Sequence, residues 1–287
     1  MPELPEVEIV KQSLKKKIKN KIIQKVVVKN RNLRFKIHSK FEKHLYKKKI
    51  TKVERFSKYL IIIFEDKSGF ILHLGMSGTV HLYHKNKKNI LTNTSFYHSL
   101  LLPDKHNHVE IHFKKIIFIY NDPRRFGYFS TFNNQIELKK KFNHFGPEPF
   151  SKSFNVDYII RYLKNKEKNI KSFLLDQKFI SGIGNIYASE ILYFSKIKPI
   201  RKAKNLTRSE CKRIFLYSKL VLKKSIKKGG SSIRDFKNIS GKMGTFQKDF
   251  NVYQRENLNC LKTKCGGIIK KKIISNRSRF FCNSCQK

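Results

Sequence analysis

Tryptophan is absent from the 287-residue sequence, and acidic residues are scarce. Long apolar runs are also missing, since none approaches the roughly 20 residues that a membrane-spanning helix needs. The N-terminus reads MPELPEVE and lacks the basic and then apolar order of a secretory signal. These absences argue against a membrane protein and a secreted precursor. We therefore expect a globular protein of the cytosol that has no membrane partner.

The scarcity of acidic residues leaves a strong positive charge. The chain carries 64 Lys and Arg against 20 Asp and Glu, which gives a formal net charge of +44. A charge of this sign favours binding to DNA or RNA, because polyphosphates attract it. Lys, Asn, Ile and Phe are all abundant, so AT-biased coding also explains part of the excess. The charge indicates a nucleic-acid partner without establishing one.

The first half of the chain has the pattern of a β-rich domain behind one helix. Apolar residues at helical spacing predict an amphipathic helix over residues 3–19. Short β-branched and aromatic runs then predict strands over residues 22–131. These runs are IIQKVVV, ITKVERF, YLIIIFE, FILHLG, TVHLYH, VEIHF, IIFIY and YFSTF. Many short strands favour a two-sheet sandwich or a flattened barrel, with a long polar loop at 85–107.

The second half returns to helical periodicity. Residues 143–153 concentrate Gly, Pro and Ser and mark a domain boundary. Beyond it, apolar spacing predicts a mainly helical domain, so the fold class is α+β in several domains. The predicted helices cover about 155–165, 170–178, 185–195 and 207–227. We expect a mobile loop at 231–250 and a small cysteine module at 251–287.

Four of the five cysteines fall in the last 28 residues as two close pairs. Cys260 and Cys265 form one pair, Cys282 and Cys285 form the other, and Cys211 stands alone in a helical pattern. The spacing predicts a zinc ribbon, because two disulfides are unexpected in a reducing cytosol. The single zinc ion would be structural, since four thiolates leave no position for water. Accidental clustering and a redox pair are the alternatives.

Four segments invite a functional interpretation, and each has a purely structural alternative. The MPELPEVE start places Pro2 and Glu3 where a well-made helix start also favours them. HLGMSG and DPRRFG place Met76 and Phe126 in turns, where an apolar tip can insert between bases, although residue type alone favours core packing. SGIGNIYASE sets Asn185 at a helix start that can face a phosphate, and a tight connection between helices explains it equally well.

In this order, the segments make the sequence resemble the bacterial formamidopyrimidine-DNA glycosylase family. The motifs are MPELPEVE, RFSKYL, HLGMSG, DKHNHV, NDPRRFG, GPEP, SGIGNIYASE, GGSSIRDF and the terminal cysteine ribbon. The resemblance implies an N-terminal β-sandwich with an N-terminal helix, a helix–two-turns–helix domain and a C-terminal zinc-ribbon β-hairpin. The implied division is a catalytic domain at 1–135, a DNA-binding domain at 150–230, a lesion-covering loop at 231–250 and a zinc finger at 251–287.

The resemblance also implies a bifunctional glycosylase and lyase that acts on oxidised purines in double-stranded DNA. The expected lesions are 8-oxoguanine opposite cytosine and formamidopyrimidines. Pro2, exposed once Met1 is removed, matches the nucleophile that forms a Schiff base, and Glu3 matches the general acid. Lys58 and Arg277 match the residues that assist β-elimination and δ-elimination.

Further positions match residues through which the family binds DNA. Met76, Arg124 and Phe126 match the side chains that fill the duplex when the lesion is turned out of it. Contacts to the DNA backbone are implied for His106, Lys166 and Asn185. We expect a monomer, since one cleft engages one lesion.

The sequence departs from the family at several places, among them a Lys- and Asn-rich loop at 85–105 that is longer than usual and RENLN before Cys260, which lacks the usual Gly and Pro. The first cysteine pair has four residues between its members where two are usual, and Glu167 stands where a basic residue is expected near DNA. Two alternatives remain, namely a pyrimidine-directed enzyme of the endonuclease VIII type and a non-catalytic DNA-binding protein. HLGMSG and DPRRFG favour the purine-directed branch over the first alternative. The presence of Pro2, Glu3, Lys58 and Arg277 argues against the second.

Overall fold

The computed structural model describes four stretches of the chain, residues 1–84, 104–231, 244–274 and 277–287. The chain divides into two compact units. The first comprises Met1–Asn143 with Lys228–Gln247, and the second comprises His144–Lys227 with Lys248–Lys287. The loops expected at 85–107 and 231–250 lie largely outside the described residues. Their described ends form two short 3-10 helices, Asp104–His106 and Phe246–Asp249.

In its described residues, the first unit contains two four-stranded antiparallel sheets. The strands are β1 (Lys25–Val28), β2 (Ile50–Phe56), β3 (Tyr59–Phe64), β4 (Gly69–His73), β5 (Thr79–His84), β6 (Asn107–His112), β7 (Ile116–Asn121) and β8 (Tyr128–Phe132). One sheet has the order β1-β6-β7-β5 and the other has the order β2-β3-β4-β8. Every predicted run contains or overlaps one of these strands, so the strand predictions are confirmed.

Three helices accompany the sheets, α1 (Leu4–Ile18), α2 (Phe41–Leu45) and α3 (Gln135–Phe142). Helix α1 confirms the predicted N-terminal helix, and its apolar side packs into the core shared by the two sheets. Neither α2 nor α3 was predicted. Helix α3 explains why β3 is apolar throughout. Leu60 and Ile62 face the main core, while Ile61 and Ile63 face a second cluster that includes Leu138 of α3.

The second unit begins with four α-helices. They are α4 (Val156–Leu163), α5 (Ile170–Leu175), α6 (Asn185–Phe194) and α7 (Arg208–Lys227). The predicted helices are confirmed, each within a few residues of its expected bounds. Asn155 and Asn169 start α4 and α5, because their side chains accept amide N–H groups of the first turn. No helix in the described stretches is long and apolar enough to cross a membrane.

The cysteine module ends in an antiparallel hairpin of β9 (Ile269–Ile274) and β10 (Arg277–Cys282). Glu190 of α6 anchors the chain that enters this module. Its buried carboxylate accepts the N–H groups of Asn251, Val252 and Tyr253 at 2.9–3.0 Å. Burial raises the pKa of Glu190. The segment before the hairpin is therefore fixed to a helix that the family resemblance assigns to DNA binding.

Candidate functional site

The start of α1 is held by a buried carboxylate. Pro2 is half-buried, Glu3 is buried, and Glu3 occupies the position just before the helix. The Glu6 carboxylate accepts the Glu3 N–H at 2.9 Å with one oxygen. Its other oxygen accepts the N–H and hydroxyl of Ser231 at 2.8 and 2.9 Å. Glu6 thus ties the residue after Pro2 to a segment 225 positions away.

Lys58 lies in the tight turn between β2 and β3. The preceding Ser57 has a left-handed backbone with φ 54, and Lys58 is 6% exposed. Arg55 donates to Glu8 of α1 and to the Ser57 carbonyl, both at 2.9 Å. Burial alone would raise the pKa of Glu8, but bonds from neighbours including Arg55 outweigh it and lower that pKa. Arg55 therefore fastens the Lys58 turn to the helix that begins beside Pro2.

His73 is a buried neutral base next to Lys58. Burial, together with the positive charges of Lys58 and Arg34, lowers the pKa of His73 to about 4. Its Nδ1 atom accepts the Gly75 N–H at 3.1 Å, so the neutral ring carries its proton on Nε2. The ring stacks on Tyr128 with centroids 5.7 Å apart. His73 thus lies next to Lys58 and is hydrogen-bonded to the turn that contains Met76.

The HLGMSG and DPRRFG turns are locked together by Asp122. This residue is fully buried, and its carboxylate accepts bonds from the Ser77 hydroxyl, the Tyr120 hydroxyl and the Gly127 N–H. A side chain on Gly75 would collide with the backbone of the DPRRFG turn, 2.4 Å away. The turns therefore pack against each other at a distance that only glycine permits.

The tips of these two turns point outward. Met76 is 44% exposed and Phe126 is 39% exposed, so core packing, which residue type alone favoured, is wrong for both. Arg124 is exposed as well, and its guanidinium lies 4.5 Å from the centre of the Phe126 ring. Two apolar side chains and a cation are thus displayed on a support held by buried hydrogen bonds.

His106 lies at the end of the short helix that precedes β6, and it is half-buried. Its backbone carbonyl accepts the N–H of Asp122 at 2.9 Å, which connects this position to the DPRRFG turn. Burial and the neighbouring Lys105 and His108 lower the pKa of His106. A neutral ring at this place can donate one hydrogen bond without adding charge.

Asn185 opens α6 directly after the Gly-rich turn. Its side-chain oxygen is buried and has no hydrogen-bond partner among the residues that the structure describes. It borders a cavity of about 400 Å³ in the second unit. The remaining lining residues are Tyr253, Gln254, Glu256, Lys271, Ser278 and Phe280. A polar side chain, a helix start and a basic residue around one cavity suit a phosphate group.

Lys166 is exposed in the segment between α4 and α5. The neighbouring Glu167 forms ion pairs with Lys202 at 3.1 Å and Lys204 at 2.5 Å. These pairs neutralise the carboxylate that departs from the family pattern. Lys166 is therefore exposed to solvent beside Glu167, whose negative charge is balanced by two lysines.

The four terminal cysteines converge on one point. All four Sγ atoms of Cys260, Cys265, Cys282 and Cys285 lie within 4.8 Å of one another. The Sγ atoms of Cys265 and Cys282 lie 3.6 Å apart, and those of Cys260 and Cys285 lie 3.9 Å apart. A tetrahedral zinc ion with Zn–S bonds of about 2.3 Å requires separations of about 3.8 Å. The cluster therefore fits a metal ion, and the four-residue spacing of the first pair does not prevent it.

Arg277 is the first residue of β10, at the end of the strand opposite Cys282, and it is exposed. The structure thus places the candidate nucleophile and Lys58 in the first unit and Arg277 in the second. The motifs contain Glu6 and Asp122, but they did not predict that these residues hold the site in place. Their burial depends on partners far away in the chain. The one available signal was Asp122 itself, the single acidic residue of the DPRRFG turn.

Comparison with known proteins covers both units. Residues 1–129 match the formamidopyrimidine-DNA glycosylase N-terminal domain, and residues 145–237 match the formamidopyrimidine-DNA glycosylase H2TH domain. The chain is 41% identical over 288 residues to the formamidopyrimidine-DNA glycosylase of Wolbachia pipientis wMel, with 100% of both chains covered.

Solved structures give the same result. The chain is similar to a Lactococcus lactis Fpg mutant in complex with Fapy-dG containing DNA, with a TM-score of 0.87 and 30% identity. It is also similar to MutM in complex with carbocyclic 8-oxo-G containing DNA, with a TM-score of 0.86 and 31% identity. Each similarity covers 100% of both chains.

Proposed function

The chain belongs to the formamidopyrimidine-DNA glycosylase family of DNA repair enzymes, and from that premise we propose that it removes oxidised purines from double-stranded DNA and then cuts the strand. The proposed substrates are 8-oxoguanine opposite cytosine and formamidopyrimidines. The relatives bound to DNA with such bases support this choice. We propose that the chain acts as a monomer.

Pro2 is the proposed nucleophile. After removal of the exposed Met1, its secondary amine attacks C1′ of the damaged nucleotide as the base departs, and an iminium forms. Buried Glu3 stands next to it as the proposed general acid, which protonates the departing base or the opening sugar. The hydrogen bond that the Glu3 N–H donates to the Glu6 carboxylate supports this assignment, because it fixes the backbone directly after Pro2.

Strand cleavage follows from the iminium in two eliminations. Loss of a proton from C2′ expels the 3′ phosphate, and Lys58 is proposed to assist this β-elimination. A second proton loss then expels the 5′ phosphate, and Arg277 is proposed to assist this δ-elimination. Water then hydrolyses the iminium, which regenerates the Pro2 amine and releases the sugar fragment as an aldehyde, and the DNA is left with a one-nucleotide gap with phosphate at both ends. A cation beside each departing phosphate stabilises the charge that develops there.

The observation that carries the proposal is the exposure of Met76 and Phe126 on turns locked by buried Asp122. Displayed apolar tips on a rigid support suit insertion into a base stack after a nucleotide has been turned out of the duplex. Arg124 beside Phe126 is proposed to face the orphaned cytosine. The proposed contacts to the DNA backbone come from His106, Lys166 and Asn185.

The cysteine cluster is proposed to hold one structural zinc ion. Such an ion would close the base of the hairpin that carries Arg277, and it would take no part in the chemical steps. Metal analysis is expected to find about one zinc ion per chain. A Cys282→Ser variant should lose the metal, whereas Cys211→Ser should keep it, because Cys211 lies buried in α7 outside the cluster. Metal retained by Cys282→Ser would contradict the site.

The substrate branch can be tested by single-turnover excision on matched duplexes. One duplex carries 8-oxoguanine opposite cytosine and the other carries thymine glycol. We expect faster excision of the purine lesion. Faster excision of thymine glycol would instead indicate an enzyme of the endonuclease VIII type. Tight binding without excision of either base would indicate a non-catalytic DNA-binding protein.

A further inference from the structure

The two ends of the β9–β10 hairpin need separate supports. The cysteine cluster lies at one end, where Cys282 pairs with Ile269, and Arg277 lies at the other end of β10. Five residues of extended strand place these ends about 17 Å apart. An isolated two-stranded hairpin is at best marginally stable in water. A metal at the cysteine end therefore does not by itself fix the strand at Arg277.

Arg279 anchors β10 through its side chain. This residue is 2% exposed, and it donates to the Asn169 side chain, to the Pro199 carbonyl at 3.3 Å and to the Ser172 hydroxyl at 3.5 Å. All three acceptors are uncharged, and within the described stretches the guanidinium Nε has no hydrogen-bond partner. Burying a guanidinium against neutral oxygens is costly, so the position must hold it for a structural reason.

Lys171 anchors the same strand through its backbone. The side chain is fully buried in α5, and its Nζ donates to the Ser278 carbonyl at 3.1 Å and to the Ser189 hydroxyl of α6 at 2.8 Å. The bond to Ser278 falls between Arg277 and Arg279. Two buried cations, Arg279 of β10 and Lys171 of α5, thus hold the consecutive strand residues Arg279 and Ser278 in place, and Lys171 also bonds to Ser189 of α6.

We propose that Arg279 and Lys171 are positioning residues for Arg277. Arg277 and Arg279 lie two positions apart on one strand, so their side chains share a face. Burial of Arg279 on that face, with the backbone held at Ser278, sets the direction in which Arg277 leaves the strand. This inference rests on the proposed function, in which Arg277 assists δ-elimination.

The test measures the ratio of δ-elimination to β-elimination products on a duplex with an abasic site. An Arg279→Met variant should lower this ratio about tenfold, since small displacements of a catalytic group have effects of this order or larger. Arg279→Lys should restore part of the ratio, and Lys171→Met should lower it. Metal content and borohydride trapping at Pro2 should stay near the parent values, because neither depends on Arg277.

Lys272→Met is the matched control. Lys272 is exposed on the same hairpin, directly opposite Arg279, and its substitution also removes one positive charge. It should leave the ratio unchanged. An unchanged ratio in Arg279→Met, or a fall that only matches a loss of trapping, would overturn the inference. Arg277→Ala separates the two proposals. If it lowers the ratio and Arg279→Met does not, only the inference fails, and if it leaves the ratio unchanged, both fail.

Discussion

The coupled turns of the first unit and the hairpin of the second unit both display exposed groups on buried polar supports, but the supports have opposite charge. In the first unit, the carboxylate of Asp122 between the turns and that of Glu6 near the start of α1 accept N–H and O–H groups. In the hairpin, Lys171 and Arg279 donate to carbonyl and other neutral oxygens. The charge of each support suits the backbone group that it binds, since Asp122 accepts the turn N–H of Gly127 and Lys171 donates to the strand carbonyl of Ser278.

In both regions, the exposed side chains are distinct from the buried residues that hold them in place. Met76 and Arg277 are exposed and are free to meet a partner, while the residues that fix them are buried. Substitution of a support should therefore reduce stability and activity together, whereas substitution of a displayed side chain should reduce activity alone. The predictions below test this separation, beginning with the largest effect.

Removal of the carboxylate between the two turns should have the largest effect. Asp122→Ala should lower the free energy of unfolding by about 4 kcal/mol, because it strips buried donors of Tyr120 and Gly127 of their acceptor. Urea denaturation followed by circular dichroism measures this change. Asp157→Ala is the control, because this carboxylate is 70% exposed in its pair with Arg208, and the expected change is below about 0.5 kcal/mol. An equal loss of unfolding free energy in the two variants would contradict the supporting role of Asp122.

The next effect is a dependence of stability on pH that comes from the neutral base of the first unit. The folded state lowers the pKa of His73 from 6.5 to about 4. The folded state therefore binds fewer protons than the unfolded chain in this range. The contribution of His73 is present above pH 6.5 and should be lost as the pH falls towards 4, by up to about 3 kcal/mol.

A His73→Asn variant isolates this contribution, because an Asn side chain can still accept the Gly75 N–H. The difference in unfolding free energy between parent and variant should shrink as the pH falls from 6.5 to 4. A difference that stays constant over this range would show that His73 is not held neutral.

Truncation of a displayed side chain should separate activity from stability. Met76→Ala should slow single-turnover excision about tenfold, the cost of lost filling of the base stack, and should change the unfolding free energy by less than about 0.5 kcal/mol. Ile136→Ala should change neither quantity, although Ile136 is 68% exposed and also apolar. A large loss of unfolding free energy in Met76→Ala would show instead that Met76 contributes to the packing of the turns.

The smallest effect concerns one exposed cation of the second unit. Lys166→Ala should reduce the slope of log K for DNA binding against log salt by about 0.9, the loss of one phosphate contact. Lys16→Ala, an exposed lysine at the end of α1, should leave the slope unchanged. Titrations at several salt concentrations measure both slopes. Identical slopes for the parent and Lys166→Ala would remove Lys166 from the interface.

The displayed groups could be predicted from sequence, but their supports could not. Strands, long helices and the cysteine pairs follow local rules of spacing, and all were predicted. Glu6 pairs with Ser231 across 225 positions, and Lys171 pairs with Ser278 across 107, so no local pattern reveals either contact. The short helices α2 and α3 were missed because a few turns carry too little periodicity. Residue type alone also misjudged Met76 and Phe126, since only the packing of Gly75 and Asp122 turns them outward.

Borohydride trapping on a duplex that carries 8-oxoguanine opposite cytosine is the most direct test of Pro2 as the nucleophile. Mass spectrometry of the trapped complex should locate the adduct on the N-terminal Pro2 amine, and a Pro2→Gly variant should show a strongly reduced adduct. An adduct on a lysine side chain, or no adduct on a duplex that the protein demonstrably binds, would contradict the proposed mechanism.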